Sequence, residues 1–143
     1  MVHLSPMIGR AMLVLGLAPV PALGAGPPPD CGTRTFSVYF AQWKSDLTPE
    51  AQHVLDHTQR SFQGCVIDHV RVVGLAGAKG SRDRNQVLSE HRAQAIADLL
   101  VSGGWPREKV ELVARGEKGA KAGDLDRPIR RRVRITVQSR PAP

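Results

Sequence analysis

The chain has 143 residues, 41% of them hydrophobic and 23% charged, with a net charge of +7 and a pI near 10.3. This composition is typical of a soluble globular domain and excludes a fibrous repeat or wholesale disorder. A polycation favours anionic partners such as nucleic acid, lipid headgroups or cell-wall polymers, but an aromatic content of 4% without a recognition motif argues against nucleic acid.

Residues 1–25 combine a weakly basic start, an apolar run and small residues at the end, and this pattern predicts a secretory signal peptide cleaved near Ala25. A transmembrane anchor is the alternative. However, Pro19 and Pro21 interrupt a run that is already shorter than the roughly 20 apolar residues that cross a bilayer. Residues 26–32 follow as a Pro-rich linker, so the mature protein is expected in the periplasm with no transmembrane segment.

Only two cysteines occur, Cys31 and Cys65. An even number in an exported chain predicts a disulfide between them, and two free thiols are the alternative.

Alternating and helical hydrophobic patterns then predict six elements in chain order. The first strand lies near residues 36–40, and Thr48-Pro49-Glu50 starts a helix that ends near Gly64. A second strand (66–73), a glycine-rich loop (74–81), a second helix ending at Gly103, and strands near 110–114 and 133–137 follow. This order predicts an α/β (α+β two-layer) domain, βαβαββ, with two helices packed on one face of a mixed sheet. If the first two strands are neighbours, the two cysteines lie at the same end of that sheet.

Several short strings in this order and spacing resemble the OmpA-like peptidoglycan-binding domain family, over residues 33–138, leaving 139–143 as a short tail. The strings are Val38-Tyr39-Phe40, Leu47-Thr48-Pro49-Glu50-Ala51-Gln52, residues 74–81 with Asn85, Leu88, Ser89, Arg92 and Ala93, Arg115-Gly116-Glu117, and Arg131-Arg132-Val133.

The resemblance implies a site for the diaminopimelate of the peptidoglycan stem peptide, in a loop that ends at Ser81 and on the helix after it. In the family an aspartate binds the ammonium of this zwitterion and an arginine binds its carboxylate. Arg92 falls on the arginine position and Asn85 on a polar loop-to-helix position. The aspartate position is Gly77, and a second acidic position is Ala41.

Losing an ion-pair partner costs about 2 kcal/mol or more, so diaminopimelate binding is expected to be weak, altered or absent. Asp46 or Asp83 is a hypothetical replacement for the missing acid. Each retained residue also has a structural interpretation: Arg92 as an ordinary helix charge, and Asn85 as a residue that caps or packs its helix.

Other candidate sites are weaker. His53 and His57 have the spacing of two metal ligands but lack a third, so a solvent-facing pair is the better interpretation, and no metal or cofactor is predicted. The arginines at 130, 131, 132 and 134 mainly form the polar face and approach of a strand, and an anion patch that contacts wall carboxylates or lipid phosphates is the alternative. No nucleophile, base or phosphate-loop motif is found, so an enzyme is not expected.

Two functions therefore remain for a non-enzymatic protein of the cell envelope. The first is association with peptidoglycan through the stem peptide. The second is a structural or interaction protein that keeps the fold, has lost diaminopimelate binding and docks on another envelope protein.

Overall fold

The computed structural model describes residues 30–119 and 130–143. The predicted signal peptide and residues 26–29 of the predicted linker lie outside the described residues, as does the segment 120–129.

The described residues form two helices and a four-stranded sheet, and the predicted βαβαββ order is confirmed. A short 3-10 helix, Arg107–Lys109, precedes the third strand. The elements are β1 (Thr33–Tyr39), α1 (Pro49–Ser61), β2 (Cys65–Gly74), α2 (Arg82–Ser102), β3 (Val110–Ala114) and β4 (Arg132–Pro141).

The strands lie in the order β1-β4-β2-β3. β4 is antiparallel to both β1 and β2, and β2 is parallel to β3. The sheet is therefore mixed, as predicted. β1 and β2 run in the same direction but are not neighbours, because β4 lies between them. Its inward side chains Val133, Ile135 and Val137 are fully buried, as expected for a strand with partners on both sides.

Both helices begin at a capping hydroxyl. The Thr48 hydroxyl accepts a hydrogen bond from the Ala51 N–H (3.2 Å), with Pro49 in the first turn, as the sequence predicts. The Ser81 hydroxyl accepts from the Arg84 N–H at the start of α2 (3.3 Å). Ser81 rather than Asn85 caps this helix.

The core lies between the helices and one face of the sheet. Leu55 of α1 and Ile96 and Leu100 of α2 are fully buried against the inward side chains of β2 and β4. The outward residues of the same strands, such as Arg71 and Arg134, are exposed. The alternation predicted from the sequence thus places the arginines of β4 on the face opposite the helices.

Cys31 and Cys65 form a disulfide, with Cα atoms 5.8 Å apart. Their strands are separated by β4, so the bond does not join neighbouring strands. Both cysteines instead lie at the end of β4: Cys65 is opposite Pro141, and the Gly32 N–H donates to the Ser139 hydroxyl (3.2 Å). β4 therefore continues into the predicted tail, and residues 139–141 belong to the sheet.

Replacing both cysteines by serine is expected to lower the free energy of unfolding by about 3–4 kcal/mol, because the bond closes a loop with a sequence separation of 34 residues in the unfolded chain. Urea denaturation of the oxidised wild type and the double variant measures the loss. Reduced wild type is the control and should match the variant, whereas equal stability of oxidised and reduced protein would contradict the prediction.

The end of β2 touches the backbone of α2. A Cβ atom on Gly74 would overlap the carbonyl oxygen of Ser89, whereas a Cβ on Gly77 would meet nothing within 4 Å. Gly74→Ala is therefore expected to destabilise the fold by about 3 kcal/mol through overpacking. Gly77→Ala, the matched control, should be neutral or slightly stabilising. Equal thermal melting temperatures for the two variants would show that α2 moves away from β2 at little cost.

Candidate functional site

Arg92 is a fully buried cation in the middle of α2. Its Nε donates to the Lys44 carbonyl (2.8 Å), Nη1 to the Leu75 carbonyl (3.1 Å), and Nη2 to the Ala41 carbonyl (3.1 Å). Its guanidinium also lies 5.2 Å from the centre of the Phe40 ring. One side chain thus ties the loop after β1 and the loop after β2 to the helix.

Arg92 has no acidic partner among the described residues; its acceptors are carbonyl oxygens. Burial, and to a lesser degree the charge of Arg131, lower the pKa of Arg92 to about 10. The side chain still carries its charge at neutral pH. The centre of this site is therefore a buried positive charge whose countercharge the described protein does not supply.

A small cavity of about 20 Å³, enough for about one water-sized group, adjoins this guanidinium and is called the Arg92 cavity below. Three of its lining side chains are cationic, namely Lys79, Arg92 and Arg131. The other lining residues are Gln42, Trp43, Gly77, Asn85 and Leu88. No carboxylate belongs to this described lining, so the cavity attracts anions.

Trp43 and Gly80 meet at the side of this cavity. Trp43 has a φ of 61°, which is uncommon for a bulky residue. The tip of its ring packs on Gly80, where a Cβ atom would collide with it, and the Arg84 guanidinium lies 5.2 Å from the ring centre. These contacts join the loop after β1 to the loop before α2.

The structure brings together three of the residues singled out from the sequence. Gly77, Asn85 and Arg92 all line the Arg92 cavity. The Asn85 amide donates to the Glu117 carboxylate (2.8 Å), so Asn85 separates the cavity from that acid. Glu117 itself borders an adjoining groove.

The other candidate residues lie elsewhere. Ser81 caps α2. Asp83 is exposed and lines a separate groove with Trp43 and Leu88. Asp46 is exposed in the loop between β1 and α1 and does not line the Arg92 cavity. Neither aspartate occupies the position of the missing acid.

The sequence analysis did not single out Lys79, Trp43 or Gln42. It placed Arg131 chiefly on the polar face and approach of a strand, with contact to wall carboxylates as the alternative. The Nε atoms of Arg130, Arg131 and Arg132 are buried and have no hydrogen-bond acceptor within residues 30–119 and 130–143. A signal for Trp43 was its rarity, because the chain has only two tryptophans.

The rejected metal pair, His53 and His57, is exposed on α1. Within residues 30–119 and 130–143, three or more potential metal-ligating side chains do not cluster anywhere. Over the same residues, neither helix has the length and apolar character needed to span a bilayer.

Comparisons with known sequences point to one family. A sequence profile of the OmpA family matches residues 39–134. Outer membrane protein A of Serratia marcescens is 40% identical over 94 residues, which are 64% of this chain and 26% of that protein, so the chain spans about a quarter of that relative's length.

Solved structures also match. The OmpA-like domain of FopA1 from Francisella tularensis superposes with a TM-score of 0.64 at 28% identity, covering 78% of this chain and 77% of that one. The cell wall anchor of the T6SS from Pseudomonas aeruginosa gives a TM-score of 0.62 at 22% identity, covering 76% and 83%, and shows the same fold.

Arg92→Met is expected to lower the free energy of unfolding by about 3 kcal/mol, because one buried and two partly buried carbonyl groups lose a charged donor. Arg131→Met is the control. It should change stability by less than about 0.5 kcal/mol, since that side chain is partly exposed and its charge opposes that of Arg92. Urea denaturation measures both. Similar losses for the two variants would mean that the loops do not depend on the Arg92 guanidinium.

Proposed function

The chain belongs to the OmpA family, and from that premise we propose that it is a non-enzymatic protein of the periplasm that associates non-covalently with peptidoglycan. The Arg92 cavity is the proposed binding site for the stem peptide. The single observation that carries this proposal is the buried guanidinium beside a cavity lined by two further cations. The wall polymer supplies carboxylates, which such a cavity attracts.

Export is supported by two features. Residues 1–25 have the pattern of a signal peptide. The disulfide between Cys31 and Cys65 is of the kind that persists in oxidising compartments such as the periplasm. A T6SS protein with the same fold is described as a cell wall anchor, which is in keeping with the proposed location.

The mode of binding differs from that implied by the family motif. Gly77 provides no carboxylate at the motif position, and neither Asp46 nor Asp83 lines the cavity. We therefore propose that any diaminopimelate is held through its carboxylate, with lower affinity than a full acid and arginine pair would give.

A second candidate is a structural or interaction protein of the envelope that has lost the stem-peptide ligand. The hydrogen bonding of Arg92 favours it, because three of the guanidinium N–H groups are already donated to Ala41, Lys44 and Leu75 and the side chain is closed off from solvent. In this case Arg92 has only the structural role.

Sedimentation with purified sacculi separates the two candidates. Because Arg92 variants are expected to affect folding, the test variant is Lys79→Glu with Arg131→Glu, at the wall of the cavity. The control is Arg60→Glu with Lys109→Glu, an equal charge change at exposed positions outside the cavity lining.

We expect wild type and the control to sediment with sacculi, and the cavity variant to bind at least about tenfold more weakly. If wild type stays in the supernatant, wall association is wrong and the second candidate is favoured. If the cavity variant and the control bind equally, the wall is held by another surface.

A further inference from the structure

We propose that the Arg92 cavity recognises a carboxylate whose neighbouring amine is absent or acylated, rather than a zwitterion with a free ammonium group. This inference rests on the proposed association with the wall, and it names the form of the stem peptide that the cavity accepts. The argument starts from the charges around the cavity.

Among the described residues that line the cavity, a free ammonium group would meet only like charges or neutral groups. Lys79, Arg92 and Arg131 line the cavity, and within the described lining no acid opposes them. Glu117 lies beyond Asn85, accepts a hydrogen bond from that amide, and borders a groove that also contains Arg115 and Lys118. Like charges at close range in a partly buried site disfavour an ammonium.

The cavity also has hydrogen-bond donors without acceptors. The Nε of Arg131 is buried and has no acceptor in the described part of the chain. Arg92 has five N–H groups, and its three hydrogen bonds use one N–H on each nitrogen. The second N–H on each terminal nitrogen has no acceptor among the described residues. Because the side chain is fully buried, a ligand carboxylate reaches these N–H groups only if the lining of the cavity moves aside. Two guanidinium groups with spare donors match the acceptor oxygens of a carboxylate.

The chemistry of the wall supplies such a ligand. In a cross-linked stem peptide, the side-chain amine of diaminopimelate is acylated by its neighbour, so that the ammonium charge is lost while the adjacent carboxylate stays free. In an uncross-linked stem the same centre is a zwitterion. A cavity whose described lining has three cations and no acid therefore fits the cross-linked form better.

Three stem tetrapeptides test this directly. One has the free amine at the side-chain centre of diaminopimelate, the second has that amine acetylated, and the third has the free amine with the adjacent carboxylate amidated. Binding is measured by calorimetry, and by the fluorescence of Trp43, which lines the cavity, with Trp43→Phe identifying its signal.

We expect the acetylated peptide to bind at least as tightly as the free amine, and the amidated peptide to bind at least about tenfold more weakly than either. Tighter binding of the free amine than of the acetylated peptide would overturn the inference, because a group in the cavity would then bind the ammonium.

Gly77 allows the reverse experiment. A Cβ atom there meets nothing within 4 Å, so a side chain can be added without a clash. Gly77→Asp restores a carboxylate beside the cavity and is expected to shift the preference toward the free amine by about tenfold. Gly77→Asn, of nearly the same shape but uncharged, should keep the wild-type preference. An unchanged preference in the Asp variant would overturn the inference.

Failure of this inference and failure of the proposed function give different results. If wild type sediments with sacculi but the free-amine peptide is preferred, wall association stands and only the ligand form is wrong. If wild type neither sediments with sacculi nor binds any of the peptides, both proposals fail.

Discussion

The buried guanidinium of Arg92 is the constraint on which the loops around the cavity depend. A charge removed from water costs several kcal/mol unless polar partners surround it. Here the partners are carbonyls of Ala41, Lys44 and Leu75, which belong to two separate loops. If either loop moved away, a charged donor would lose its acceptor inside the protein. The interaction therefore holds both loops against α2. It also stabilises the strained backbone of Trp43, because the neighbouring residue, Lys44, accepts one of the hydrogen bonds of Arg92.

The position of β4 explains why a second arginine reaches this site. Arg131 directly precedes β4, and its carbonyl accepts a hydrogen bond from the Phe40 N–H at the end of β1 (2.8 Å). Because β4 lies between β1 and β2, its first residues lie next to both strand ends, where the two loops bound by Arg92 begin. A β4 at the edge of the sheet would bring Arg131 beside only one of them. The strand order and the electrostatics of the cavity are thus linked.

The elements of the fold could be predicted from the sequence because each has a local signal. The alternation around Val133, the capping sequence at Thr48 and the glycine-rich segment before α2 are readable within a few residues. The strand order could not be predicted, since pairing between β1 and β4 joins residues about a hundred positions apart and short periodic patterns do not specify it. For the same reason, the sequence analysis placed the two cysteines correctly at one end of the sheet but reached this by assuming that β1 and β2 are neighbours. In the structure β4 lies between them.

The site was predictable only in part, and for a physical reason. Arg92, Asn85 and Gly77 stand at motif positions and could be identified from the sequence. The acceptors of Arg92 could not, because they are backbone carbonyls, which every residue type carries. The charge of the cavity depends likewise on Lys79 and Arg131, which come from separate segments.

Gly77 supplies no carboxylate beside Arg92 and Arg131, and burial together with the charge of Arg131 lowers the pKa of Arg92. An aspartate at that position would relieve this repulsion within the protein. Among the described residues no acid offsets this repulsion, so under the proposed function the countercharge comes from an anionic ligand.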